Sequence, residues 1–329
     1  MDYINYVKQY PMSMGGMGGV VGSYNFRSGA SGDYDPCTGG GGAGASTRGI
    51  MAGGFKGPSF SPYDANNIEY ITVATTGNGT DFGDLTHTRQ DSGGVGNATR
   101  GLIGGGHGPG GEQNIIDYIT FASTGNATDF GDLMTGQHGI SSNCNDCVRG
   151  IFAGGTQDKS MMQYVTMATT GNAQDFGDTT FTSRNPDAVS SPTRGVLGAA
   201  INDTLEYITF NSLGNTTDFG DLNWSSTYGC AASNNTRGIF VRGSYASMDY
   251  IDIGNISNAA NFGNLTNSDS GMSTGVSSDT RFVRCGGQPP ISNIMDYVAF
   301  ASASNASDFG DMNQTISARA STSNGNGGL

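Results

Sequence analysis

The chain has 329 residues, a formal charge of −13 and only 13% charged side chains, so its surface would repel a nucleic-acid duplex or an anionic membrane. No apolar run nears the roughly 20 residues of a membrane-spanning helix, and the first residues lack the basic-then-apolar order of a secretory leader. Glycine is abundant at 55 residues, but apolar phrases recur at even spacing, which points to short strands and many turns rather than a disordered chain.

Residues 1–46 are rich in Gly and Met and differ in kind from the rest. They read as an N-terminal arm or anchor, because flexible Met side chains suit adaptable contact surfaces. From residue 47 to 329 two phrases alternate. TRGIMAGG starts at Thr47 and returns as TRGLIGGG at Thr99, VRGIFAGG at Val148, TRGVLGAA at Thr193, TRGIFVRG at Thr236 and TRFVRCGG at Thr280. YITVATTGNGTDFGDL occupies 70–85 and returns, with substitutions, at 118–133, 164–179, 207–222, 250–265 and 297–312. A period of 43 to 48 residues marks stacked supersecondary units that share their cores.

The spacings separate rigid parts from variable ones. The opening Tyr of each second phrase lies eleven residues before its Asp or Asn, and that residue lies nineteen or twenty before the next Arg. From Arg to the following Tyr the gap ranges from thirteen to twenty-two, as expected of a loop that tolerates insertion. Within the second phrase, YITFAS alternates apolar and polar residues as a strand does, TGNA is a turn, and TDFGDL is a second strand. RGIFAGG reads as a short buried strand closed by glycines. The polar stretch before it has room for one more strand and its turn. Four antiparallel strands per unit make an all-β propeller of six blades. Counting nineteen or twenty from Asp308 puts residues 315–326 in the place of a strand preceding an RG phrase, so the C-terminal strand is expected to pair beside Arg48 and close the ring. Seven blades is the competing count, because MDYINYV at the N-terminus echoes MDYIDI at Met248 and MDYVAF at Met295.

Apolar residues ending in a double glycine, then a Tyr, then an aromatic, resemble kelch repeats. Phe stands where kelch repeats have Trp, the Tyr-to-aromatic spacing is longer, and the double glycine is lost in the fourth and fifth copies. The pairing of TRGIFAGG with DYITFASTGNATDFGDL is similar to the kelch-like repeat proteins of marine bacteriophages, cyanophages especially. That resemblance covers residues 47–312. It implies a kelch-like propeller serving as a virion structural protein (tail, fibre or capsid decoration), made in the host cytoplasm, oligomeric in the particle and contacting other virion proteins, with residues 1–46 as the docking arm. The alternative it leaves is a host-receptor or glycan-binding adhesion module.

The residues offer little catalytic chemistry. DFGD supplies repeated carboxylates (Asp81, Asp129, Asp175, Asp218 and Asp308), but no further ligands complete a calcium site. No kinase motif accompanies it either. These acids are read as turn caps, with Phe packing between blades and Gly allowing close approach. The recurring Arg48, Arg100, Arg149, Arg194, Arg237 and Arg281 are read as structural partners of those acids. Cys144 and Cys147 form a CxxC that lacks the remaining zinc ligands. The sequons at Asn78, Asn126, Asn215 and Asn305 fall at turns. No nucleophile, base and orienting group assemble, so neither an enzyme nor a cofactor or metal is expected. Variable loops at 55–67 and 107–114 are where a partner or glycan would be met, with Phe60, Tyr63 and His107 as exposed contact groups.

Overall fold

The computed structural model describes residues 47–324 except 59–62, 157–158, 201, 226–227 and 269. All of these lie in a compact unit, Asp35–Leu329. The expected arm at 1–46, its docking role and Phe60 lie outside the described residues. Within them the protein is all-β: six small antiparallel sheets arranged as the blades of a propeller.

The second blade shows the pattern. From the axis outward it orders Gly93–Gly96, Arg100–Gly104, Ile115–Thr120 and Thr128–Asp132. The same order gives Asp187–Ser190, Arg194–Gly198, Thr204–Thr209 and Thr217–Asp221 in the fourth blade. The fifth runs Cys230–Ser233, Arg237–Val241, Ser247–Asp252 and Ala260–Asn264, and the sixth Thr274–Ser277, Arg281–Gly287, Ser292–Ala299 and Ser307–Asp311. Every RG phrase is thus the second strand, and every Tyr–DFGD phrase is the outer hairpin. The variable Arg-to-Tyr loops all emerge on one face of the ring. The TGN turns lie on the other. In the second blade the loop carries its own small hairpin, His107–Gly108 with Gly111–Glu112.

The third blade departs from the four-strand expectation. Arg149–Ala153, Met161–Thr166 and Gln174–Asp178 pair normally, but only isolated bridges, Ile140 to Gly154 and Asn145 to Gly150, stand in the innermost place. Between Ile140 and Asn145 the chain turns toward the axis, with left-handed backbone at Asn143 (φ 65°), and the turn into Arg149 has left-handed Cys147 (φ 70°).

The core is divided into six clusters, one between each pair of consecutive blades. Ile50, Ile68 and Phe82 of the first blade meet Ile103, Ile119 and Phe121 of the second. Met51, Ile71 and Val73 of the first meet Val283, Met295 and Phe309 of the sixth. A β-bulge recurs in every DFGD strand, as between Ile116 and Asp117 opposite Gly131 and Asp129. The extra residue there is the Phe, which the kink turns into the cluster.

Closure comes from both chain ends. Ala320–Ser323 pairs with the first RG strand, Ala52 opposite Ala320 and Gly49 opposite Ser323. The backbone of Asn324 donates to the Arg48 carbonyl at 3.2 Å, and the Asn324 Oδ1 accepts from the Arg48 amide at 2.6 Å. The closing strand is shorter than the expected 315–326 but lies where expected, and the blade count is six.

Candidate functional site

Three regions could carry function: the joints between blades, the axial mouth, and the loop face around it.

At each joint the TGN turn of one blade lies along the DFGD strand of the blade before. Gly125 and Ala127 donate backbone bonds to the carbonyls of Phe82 and Asp84, at 2.7 and 2.8 Å. Asn126 Oδ1 accepts the Asp84 amide at 3.1 Å. Asn172, Asn215, Asn258 and Asn305 repeat that bond at 3.0 to 3.1 Å, and Asn78 makes it across the closing joint to the Asp311 amide. The approach is so close that a Cβ on Gly83 would lie 2.3 Å from the Gly125 carbonyl oxygen. The DFGD glycine is therefore set by the neighbouring blade. The clamp belongs to the turn Asn, while Asp81, Asp129, Asp175, Asp218 and Asp308 are exposed and cap no turn among the described residues. That corrects the expected turn-capping role of those acids.

The recurring Arg residues correct a second expectation. They do not pair with the DFGD carboxylates among the described residues. Each guanidinium stacks on the Tyr of its own blade, at 4.5 to 5.4 Å from the ring centroid. Each also donates to a carbonyl of the next blade: Arg48 to Phe121 at 2.5 Å, Arg149 to Phe210 at 2.6 Å, Arg194 to Ile253 at 2.8 Å, Arg237 to Phe300. Arg100 reaches Ala168 at 2.9 Å, and Arg281 reaches Ala74 at 2.8 Å across the closing joint. The same Tyr meets the bulge Phe edge-on, Tyr118 to Phe130 at 6.1 Å and 75°. An Arg–Tyr–Phe stack thus pins every blade to its successor.

A further set of joint residues escaped the sequence reading. The residue before each repeat Tyr is Glu69, Asp117, Gln163, Glu206, Asp249 or Asp296, all buried. Each accepts from the chain leaving the previous blade: Thr86 amide to Asp117 at 3.1 Å, Met134 amide to Gln163 at 2.8 Å, Asn313 amide to Glu69 at 2.9 Å. Three of these carboxylates hold buried arginines: Arg89 on Asp117 at 2.9 Å, Arg319 on Glu69 at 3.2 Å, and Arg284 on Asp296. Burial pulls the Arg89 and Arg319 guanidinium groups below their ordinary pKa, and Asp117 and Glu69 oppose that pull. The signal was present: an acid or Gln precedes Tyr in every copy, on a strand whose neighbours are apolar.

All six blades contribute to the axial mouth, which opens on the loop face with a cavity of about 70 Å³. Asn143 blocks the axis beneath it. Its amide nitrogen donates to the carbonyls of Ala231 and Gly275, both at 3.0 Å, on two blades across the ring. Its backbone amide bonds Gly94 at 2.7 Å. The excursion of the third blade therefore places a plug. The only trace in the sequence was an Asp-to-Arg spacing of twenty instead of nineteen, which the sixth repeat shares.

On the loop face, Tyr63 is 53% exposed, as expected of a contact group. His107 is only half-buried and meets His138 edge-on at 5.2 Å. His138 lies 3.7 Å from Glu112, and Arg184 pairs with Asp91 at 3.0 Å. Burial, with Arg184 second, pushes His138 below its ordinary pKa despite Glu112 and Asp91. Burial likewise raises Asp64 nearby. No three His, Cys, Asp or Glu side chains converge as metal ligands among the described residues. Cys144 is a fully buried free thiol, whereas Cys147 is disulfide-bonded, so the CxxC does not act as a pair.

No protein-family model matches this chain, and no curated protein is significantly similar to it.

Proposed function

We propose that the protein is a non-enzymatic structural component of a bacteriophage particle, a rigid ring that presents variable loops on one face. The carrying observation is that the paired phrases underlying the phage resemblance are the two halves of every blade joint. Arg, Tyr, Phe, Gly and the turn Asn all serve cohesion, and none of them lines the axial cavity or the one beside Lys56. The axial cavity is small and plugged by Asn143. A cavity of about 460 Å³ beside Lys56 is lined by Pro58, Ile291 and Ile316, with Lys56 as its one titratable group among the described residues. In the axial lining Asp91 is held by Arg184, and Ser273 Oγ donates to the Ser270 carbonyl.

The test is to separate particles of a phage encoding this chain on a density gradient and identify their proteins by mass spectrometry. The chain should co-purify at constant stoichiometry with the capsid protein. Absence from particles, with abundance in the infected-cell supernatant, contradicts the proposal. Exposed aromatics on the loop side, Tyr63 at 53% and Tyr245 at 52%, favour an adhesion role as the second reading.

A further inference from the structure

The fifth blade breaks the repeat where its loop begins. Four blades place two glycines there, at positive φ; Gly154 and Gly155, for example, have φ of 75° and 130°. The fourth has Ala199 and Ala200 there, the fifth Arg242 and Gly243, and Arg242 is not in the left-handed region. Its carbonyl accepts from the Tyr245 amide at 3.2 Å and from Ser270 Oγ at 2.8 Å, and its amide bonds the Ser247 carbonyl at 3.0 Å. A tight, cross-braced turn thus fixes Arg242 and Tyr245 relative to each other.

The side chains then form a platform. The Arg242 guanidinium carbon lies 3.9 Å from the Tyr245 ring centroid and 5.9 Å from that of Trp224. Tyr245 is 52% exposed. Among the described residues, Arg242 is the one arginine whose guanidinium makes no hydrogen bond or ion pair. The joint arginines donate to carbonyls, while Arg89, Arg184, Arg284 and Arg319 hold carboxylates. Among the described residues Arg242 Nε is buried without a partner, as are the Nε atoms of Arg89, Arg184, Arg284 and Arg319, and so is Trp224 Nε1. An exposed aromatic face beside an uncommitted cation suits a ligand that offers both an apolar face and acceptors.

We propose that Trp224, Arg242 and Tyr245 form a binding site for a saccharide bearing an anionic substituent. The exposed Tyr245 ring offers a flat apolar surface to the C–H face of a pyranose. The guanidinium offers paired N–H donors to a carboxylate or sulfate on that sugar. The chain carries −13, so its overall charge does not draw in a polyanion, and recognition rests on this short-range contact. The proposal rests on the loop-presenting half of the function above and names the ligand class for that face.

Trp224 is the only tryptophan in the chain, so its fluorescence reports on the site without a label. The full-length protein is titrated with a galacturonic acid trimer, a sulfated galactose trimer and an uncharged galactose trimer. At least one charged trimer should give a saturable change in Trp224 emission, matched by calorimetry, and the uncharged trimer should bind about tenfold more weakly or not at all. The two charged arms distinguish carboxylate from sulfate. Arg242→Gln should weaken the charged ligand about tenfold. Tyr245→Ser, at an exposed position, keeps the test alive if the first variant fails to fold. No saturable response to any trimer, equal binding of the uncharged one, or full affinity in a folded variant overturns the proposal. A particle component without this response overturns this inference alone. Binding by a chain absent from particles overturns the virion reading alone.

Discussion

The two faces of the ring obey different rules. On the TGN face, every copy repeats the same residues because each is specified by an adjoining blade: the turn Asn, the DFGD glycine and the Arg–Tyr–Phe stack all lie at a joint. On the loop face the chain connects the same two strands by different lengths and sequences, and contacts there such as His138 to Glu112 do not repeat around the ring among the described residues. The difference teaches where identity in a repeat protein comes from. Repetition marks cohesion, and departure from it, as at Asn143 and Arg242, marks what is particular to this chain.

The contrast can be broken most forcefully at the buried acids. Asp117→Ala leaves Arg89 charged and unpaired in the joint between the first two blades. It should lower unfolding free energy by about 3–5 kcal/mol in chemical denaturation. Gly131→Ala puts a Cβ 2.5 Å from the Gly171 carbonyl oxygen at φ 147° and should follow, at about 3 kcal/mol. A melt within a degree of the parent would show that the joint is looser than described. Arg149→Met removes one ring stack and one carbonyl bond from a partly exposed position and should be worth about 1–2 kcal/mol.

On the loop face the expected effects are smaller. His138 has its pKa depressed in the folded chain, so the unfolded chain binds that proton first as pH falls. Its effect on stability is absent well above the ordinary value of about 6.5 and becomes destabilising as pH drops below it. His138→Asn should therefore show a smaller loss of melting temperature between pH 7.5 and 5.5 than the parent. Equal losses would place the acid sensitivity elsewhere. Tyr63→Ser should change stability by no more than about 0.5 kcal/mol, since its ring is mostly in solvent.

Much of the scaffold was legible in the chain because strands, turns and blade period are local properties. The eleven-residue spacing from Tyr to the acidic position is the outer hairpin with its bulge, and the variable gap is the loop. Even the closing strand could be placed by counting. Pairing between blades was less legible. Arg48 and its equivalents are near-matched in number by the DFGD acids, which suggested ion pairs. Yet a carbonyl on the next blade and an aromatic ring on the same blade satisfy them, and neither leaves a charge pattern to read. Backbone acceptors are invisible in a sequence, and so is the inward turn that carries Asn143 to carbonyls 88 and 132 residues away. The platform at Arg242 was visible only as a missing glycine pair.

The account depends most on the ring being closed, with the sixth joint equal to the other five. Hydrogen–deuterium exchange measures this directly. The Gly77 and Gly79 amides bond the Phe309 and Asp311 carbonyls across the closing joint, as Gly125 and Ala127 bond Phe82 and Asp84 at the first. Closure predicts that the two pairs are protected to a similar degree and open together with global unfolding. Free exchange at Gly77 and Gly79, with protection retained at Gly125 and Ala127, would contradict it.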